Sequence, residues 1–258
     1  MRPESPCHAV SIAKRFGAPY MAGGTWLQPA WERDRRWPGH LVALNPDWQG
    51  FRGIGDSDEG LTIGALTTLD ELARHPQTAQ YLPALRDLMS RVASPGVRHL
   101  GTVGGNLVAG GDLSALALAL DVMVDVVGGK GSNRELLARW LPERAAGDLL
   151  RSVTVPDCRR WRIAVEKLGY RERFSPTRAT VACVHDGLQI RMAVYGEGGS
   201  GRLVVTEALL RDHGESERQD LVTVLDSELE TLGWHDKQLR LAVRRMLEFG
   251  LAEVNYGA

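Results

Sequence analysis

With 258 residues, 43% of them hydrophobic and 24% charged, the chain can bury a sizeable core and has the composition of soluble globular domains. Thirty-one Lys and Arg oppose 32 Asp and Glu, a formal charge of -1 with no long basic run, which argues against a nucleic-acid partner. MRPESPCHAV at the amino terminus lacks an apolar stretch of signal-peptide length, and the apolar run from Leu113 to Val127 carries Asp121 and Asp125; a soluble, cytoplasmic chain without a membrane span is expected.

His8 to Phe16 suits a short helix ending at Gly17, and Pro19 to Ala22 suits a short strand running into Gly-Gly-Thr. His40 to Leu44 and Leu61 to Ala65 are further strand segments, separated from one another by the polar turn GIGDSDEG. From Gln80 to Val92, residues Leu82, Leu85, Leu88, Met89 and Val92 recur at helical spacing and predict an amphipathic helix with a core-facing stripe. Leu113 to Leu120 is Ala/Leu-rich and reads as helix, whereas Val122 to Val127 is valine-rich and reads as strand up to Gly128 and Gly129. Arg151 to Val155 is another strand segment. Beyond it Trp161 to Leu168, Thr177 to Val184, Leu188 to Tyr195 and Arg202 to Thr206 read as an antiparallel series. Two amphipathic helices close the chain, one marked by Leu221, Leu225, Leu229 and Leu232, the other by Leu239, Val243, Met246 and Leu247. The change of texture places a domain boundary near Asp157 to Arg160.

Motifs narrow the chemistry. Cys7, Cys158 and Cys183 are far apart and show no CxxC spacing, so they supply neither a disulfide framework nor an iron–sulfur ligand set within this chain. GGKGS, Gly128 to Ser132, is not a P-loop: Gly131 follows Lys130, and the required upstream glycine is Val124. GTVGGN fails GxGxxG because Val103 stands two after Gly101, so a Rossmann site is not supported. His99 lacks a His or Cys at ligand spacing beside it and reads as a loop histidine; no metal site is assigned. Seven tryptophans, among them Trp26, Trp31, Trp37 and Trp48, suit core or subunit contact. What remains are two Gly-Gly-plus-Thr loops, in YMAGGTWL and in SPGVRHLGTVGGN, each able to offer uncovered amides to an anion.

AGGTWL, LTIGALTTLDEL at 61 to 72, SPGVRHLGTVGGN, LALALDVMV and LLRSVTVP closely resemble, in the same order, the FAD-binding subunit of the xanthine dehydrogenase and carbon monoxide dehydrogenase family of molybdenum hydroxylases. These segments cover residues 9 to 156, and the antiparallel-and-helical texture beyond them resembles that family's small terminal domain. The resemblance implies an α+β chain with the PCMH-type FAD-binding fold: subdomains 1–57 and 58–157 with FAD between them, then a carboxy-terminal domain, 158–258, of antiparallel sheet and helices. It implies non-covalent FAD bound by Ala22, Gly23, Gly24, Thr25, Trp26 and Leu27 from one loop and by Thr102, Gly104, Gly105 and Asn106 from the other. In this reading the glycines are needed because a Cβ would meet phosphate oxygens. Val97 falls where the family places backbone near the flavin ring, and Leu150 matches an apolar residue packed on it. Lys167 matches, with a one-residue offset, a lysine near the flavin, and Asp112 an aspartate that contacts FAD, although the stretch between GGN and Asp112 is shorter than the family's. His99 and Leu100 replace an Asn and a polar or basic residue common there.

By the same resemblance the chain has an electron-transfer role in an oxidoreductase complex. A [2Fe–2S] small subunit and a molybdopterin-binding large subunit would be its partners, and NAD+, quinone or oxygen the acceptor. No catalytic side chain is assigned. Two other readings stay open: a self-contained FAD-dependent reductase of the same superfamily, and a scaffold subunit that has lost FAD.

Overall fold

The computed structural model describes residues 1–129, 131–171, 175–213 and 218–256. Lys130, within GGKGS, lies outside the described residues. The chain forms two compact units, and both draw on separated stretches of sequence. The first takes Met1–Ala79, Ser94–Ala109 and Val122–Pro156; the second takes Gln80–Ala93, Gly110–Asp121 and Asp157–Ala258.

In the first unit, helix Pro6–Phe16 starts at Ser5, whose hydroxyl accepts from the His8 amide at 3.2 Å, and ends at Gly17. It buries Ala9, Val10 and Ala13 in a cluster with Val42, Phe51, Leu66, Val127 and Leu149. The expected strands at Pro19 to Ala22 and His40 to Leu44 shorten to β1 (Tyr20–Met21) and β2 (Val42–Ala43), which pair in parallel. The other strands are β3 (Ile54–Ser57), β4 (Gly60–Gly64), β5 (Met123–Gly128), β6 (Gly131–Leu136) and β7 (Leu149–Val155). They form an antiparallel sheet in the order β3-β4-β7-β5-β6, with Val153 opposite both Ile63 and Val124. Half of GIGDSDEG is therefore strand, not turn: Ile54–Ser57 pairs back on β4 as an edge strand, whose polar residues face solvent at no loss. Helix Leu69–Arg74 begins with a capping box in which Thr68 and Glu71 satisfy one another's backbone amides.

In the second unit, β8 (Arg162–Gly169), β9 (Thr177–His185), β10 (Ile190–Gly196) and β11 (Gly199–Arg202) form an antiparallel sheet in the order β11-β10-β9-β8. Helices Ser114–Ala119, Val204–His213, Arg218–Thr231 and Lys237–Tyr256 accompany it. Its core joins Val181, Cys183, Met192 and Val194 of the sheet to Leu225, Leu229, Trp234, Val243 and Leu247. The expected helix over Gln80 to Val92 is broken at Leu82, which sits at φ -134: Gln80 and Tyr81 end helix Pro76–Tyr81, and Pro83 opens helix Pro83–Arg91; Leu82, Leu85, Leu88, Met89 and Val92 are all buried as the stripe predicts. The expected strand Arg202 to Thr206 is a correction: the strand stops at Arg202 and Val204–His213 is helical. The Glu228 carboxylate, from helix Arg218–Thr231, accepts the Val205 and Thr206 amides at 2.9 Å each and caps the new helix. Among the described residues no helix is long and apolar enough to cross a membrane.

Candidate cofactor-binding loops

Both glycine loops belong to the first unit, and they abut. A Cβ built on Gly23 would fall 1.7 Å from the Leu100 carbonyl oxygen, and one on Gly101 would fall 3.3 Å from the Thr25 hydroxyl. Gly24 adopts φ +69, a conformation that favours glycine. Short helix Pro95–Leu100 precedes the second loop, and Thr102 bridges to Thr68 at the entry to helix Leu69–Arg74.

The backbone donors divide into two groups. Gly101 donates to the Val97 carbonyl at 2.7 Å, Val103 to Thr67 at 2.9 Å, Gly104 to Ala65 at 2.8 Å and Asn106 to Thr102 at 2.9 Å. Gly105 donates to the Thr102 hydroxyl at 3.1 Å. By contrast, among the described residues the amides of Gly23, Gly24, Thr25, Trp26, Leu27 and Thr102 have no protein acceptor. Amides left open in this way require water or a ligand. The packing reason for Gly104 differs from the one read in sequence: a Cβ there would lie 2.7 Å from the Ala65 Cβ, so Gly104 permits helix Val103–Ala109 to sit on the sheet.

Among the other first-unit residues singled out in sequence, Trp26 is 65% and Val97 40% exposed, whereas Leu150 is 5% exposed, opposite Val126 where the β5–β7 register shifts. Ala22 is half-buried beside the first core cluster. Trp48 packs edge-on against Phe51 at 5.4 Å, a core role. His99 lies 3.3 Å from Asp70, and no group of three potential metal ligands occurs among the described residues.

Asp112 and Lys167 fall in the second unit and meet there. The Lys167 ammonium, its side chain 4% exposed, lies 2.8 Å from an Asp112 carboxylate oxygen and donates at 3.2 Å to the carbonyls of Arg91 and Ser175. Thr177 donates its hydroxyl to the same Asp112 oxygen. Three acceptors thus match the three ammonium protons, and Lys167 is no solvated surface lysine. Thr177, Arg91 and Ser175 carry no sequence signal for this role, because only the fold brings them together. The two buried thiols are unreactive by environment: desolvation pushes Cys158 and Cys183 up to about 12.

An α+β chain with two abutting glycine loops and a run of open amides fits a binder of an anionic, diphosphate-bearing cofactor. Residues 1–158 match the family described as the FAD binding domain in molybdopterin dehydrogenase, and the chain belongs to that family. It is similar to the carbon monoxide dehydrogenase medium chain of Afipia carboxidovorans, 32% identical over 166 residues, 60% of this chain and 57% of that one. It is also similar to the nicotinate dehydrogenase FAD-subunit of Eubacterium barkeri, 40% identical over 119 residues, 44% of this chain and 39% of that one. The chain spans about half the length of the curated relatives it matches. Its fold is that of a carbon monoxide dehydrogenase chain from Hydrogenophaga pseudoflava: TM-score 0.86 at 23% identity, covering 98% of this chain and 95% of that one. Quinoline 2-oxidoreductase from Pseudomonas putida 86 matches with TM-score 0.79 at 21% identity, over 99% and 97% of the two chains. The α+β class and the family read from sequence are both confirmed.

Proposed function

We propose that the chain holds non-covalent FAD as the electron-transfer subunit of a molybdenum hydroxylase complex. The observation that carries this reading is the run of open amides from Gly23 to Leu27, abutting the turn that holds Thr102. The donor set fits the group: a diphosphate needs several convergent N–H donors, and backbone amides supply them without a side-chain cation. The hydroxyls of Thr25 and Thr102 add donors, since Thr102 accepts from Gly105 and keeps its own proton to give. Ala22, Gly104, Gly105 and Asn106 complete the two loops, Gly104 by close packing and not by its engaged amide. Exposed Val97 offers apolar surface suited to a flavin ring, while Leu150, 5% exposed, and Trp26, 65% exposed, are assigned to the FAD site on the family resemblance. Lys167 fixes Asp112, so the pair positions backbone at 110–113. Subdomains 1–57 and 58–157 with domain 158–258 are the corresponding functional division.

When bound, FAD supplies exchange between single electrons and electron pairs. The chain's own cysteines form no cluster ligand set, so a [2Fe–2S] small subunit and a molybdopterin large subunit provide the other centres, and NAD+ is the proposed acceptor. Several relatives bear names of medium chains or FAD subunits of dehydrogenases, which supports this division of labour.

Affinity purification of the chain from its native host is expected to return iron and molybdenum in fixed ratio to flavin. The isolated flavin-loaded chain is expected to reduce dyes with NADH and to leave aldehydes and purines unchanged. Multiple turnovers of an organic substrate by the lone chain, free of iron and molybdenum, would establish a self-contained reductase instead.

A further inference from the structure

Helix Leu27–Asp34 contains no buried residue, yet it follows the open-amide loop directly, with the Gln28 amide donating to the Gly24 carbonyl at 2.9 Å. Isolated helices shorter than ~12–15 residues are marginal in water, so a short helix ordinarily relies on burying one face. This helix and its flanks turn tryptophan outward. Trp26 is 65% and Trp37 64% exposed, and the rings of Trp31 and Trp37 lie 5.9 Å apart at 52°. The charges beside them are unequal. Arg33 pairs with Asp34 at 3.0 Å and Glu32 accepts from Gln28 at 3.0 Å. Arg35 and Arg36 are exposed and, among the described residues, meet no carboxylate.

We infer that Trp26, Trp31, Trp37, Arg35 and Arg36 form the docking surface for the iron–sulfur chain, an inference that rests on the complex proposed above. Tryptophan and arginine are the residue types that dominate binding energy at interfaces. An iron–sulfur centre held by four thiolates carries net negative charge, so a protein face close over such a centre has the potential that complements two unpaired guanidiniums. The Gln28–Gly24 hydrogen bond ties the surface to the glycine loop, so a chain seated on it lies beside that loop.

The test is amide hydrogen exchange of the full chain alone and in the purified complex, together with R35E/R36E in the complex. Residues 27–37 are expected to exchange at least tenfold more slowly in the complex. R35E/R36E is expected to lose the iron–sulfur chain on gel filtration while keeping its flavin content, and R35K/R36K to retain both. Unchanged exchange in an intact iron-bearing complex, or an iron–sulfur chain held normally by R35E/R36E, overturns the docking assignment alone. Protection already present in a dimer of the lone chain assigns the surface to a second copy and overturns it too. Absence of any iron-bearing complex overturns the assignment and the proposed function together.

Discussion

The Gly104 amide donates to the Ala65 carbonyl at 2.8 Å, and a Cβ on Gly104 would fall 2.7 Å from the Ala65 Cβ. Gly104→Val therefore drives a branched side chain into the sheet. Overpacking of this kind costs about 1–3 kcal/mol, and chemical denaturation of the variant is expected to show a loss of that size. A variant as stable as the parent would mean that the helix can rise off the sheet without penalty.

Gly23 makes the contrasting case, because its neighbour is the other loop. With a methyl group 1.7 Å from the Leu100 oxygen, Gly23→Ala must part the two loops. Flavin titration is expected to show affinity reduced by more than tenfold, with the circular dichroism spectrum preserved. If Gly23→Ala binds FAD like the parent, the loops are not the diphosphate site.

Much of the architecture was legible because local chemistry and tertiary packing agree. Gly17 ends the first helix, the leucine stripe from Leu82 to Val92 is core, and the valine-rich run after Val122 is strand β5. Where the reading failed, a distant group decides the local structure. Val204, Val205 and Thr206 are β-branched and favour a strand, but the Glu228 carboxylate from another helix caps them into a helix. The interleaving of Gln80–Ala93 and Gly110–Asp121 with the carboxy-terminal unit has no signature in periodicity. The glycine loops were visible as motifs, whereas the division between open and engaged amides depends on partners such as Ala65 and Thr67, far off in sequence.

Lys167 and Asp112 give a prediction of opposite character from the loops. Lys167→Met leaves the Asp112 carboxylate without its cation in a site where the lysine side chain is 4% exposed. Breaking a buried pair from one side costs about 3–5 kcal/mol, so thermal unfolding is expected at clearly lower temperature. Adding Asp112→Asn to Lys167→Met is expected to recover part of the loss. Equal stability of parent and Lys167→Met would show that the pair is not coupled to folding.

Thiol chemistry offers an independent check. Cys7 is exposed, whereas burial pushes Cys158 and Cys183 up to about 12. At pH 8 a thiol reagent is expected to modify Cys7 alone in the folded chain and all three cysteines in denaturant. An unfolded thiol ionises near ~8.5. The unfolded state therefore sheds protons first as pH rises, and stability contributed by the two neutral thiols falls between that value and about 12. Rapid modification of Cys183 in the folded chain would contradict the packing of the carboxy-terminal helix on β9.

The most direct test of the central claim is calorimetric titration of the flavin-free chain with FAD and, separately, with FMN. If the open amides from Gly23 to Leu27 bind a diphosphate, one FAD binds per chain, FMN binds at least a hundredfold more weakly, and acid releases the FAD unchanged. FMN binding as tightly as FAD, or no binding of FAD at all, would contradict the account.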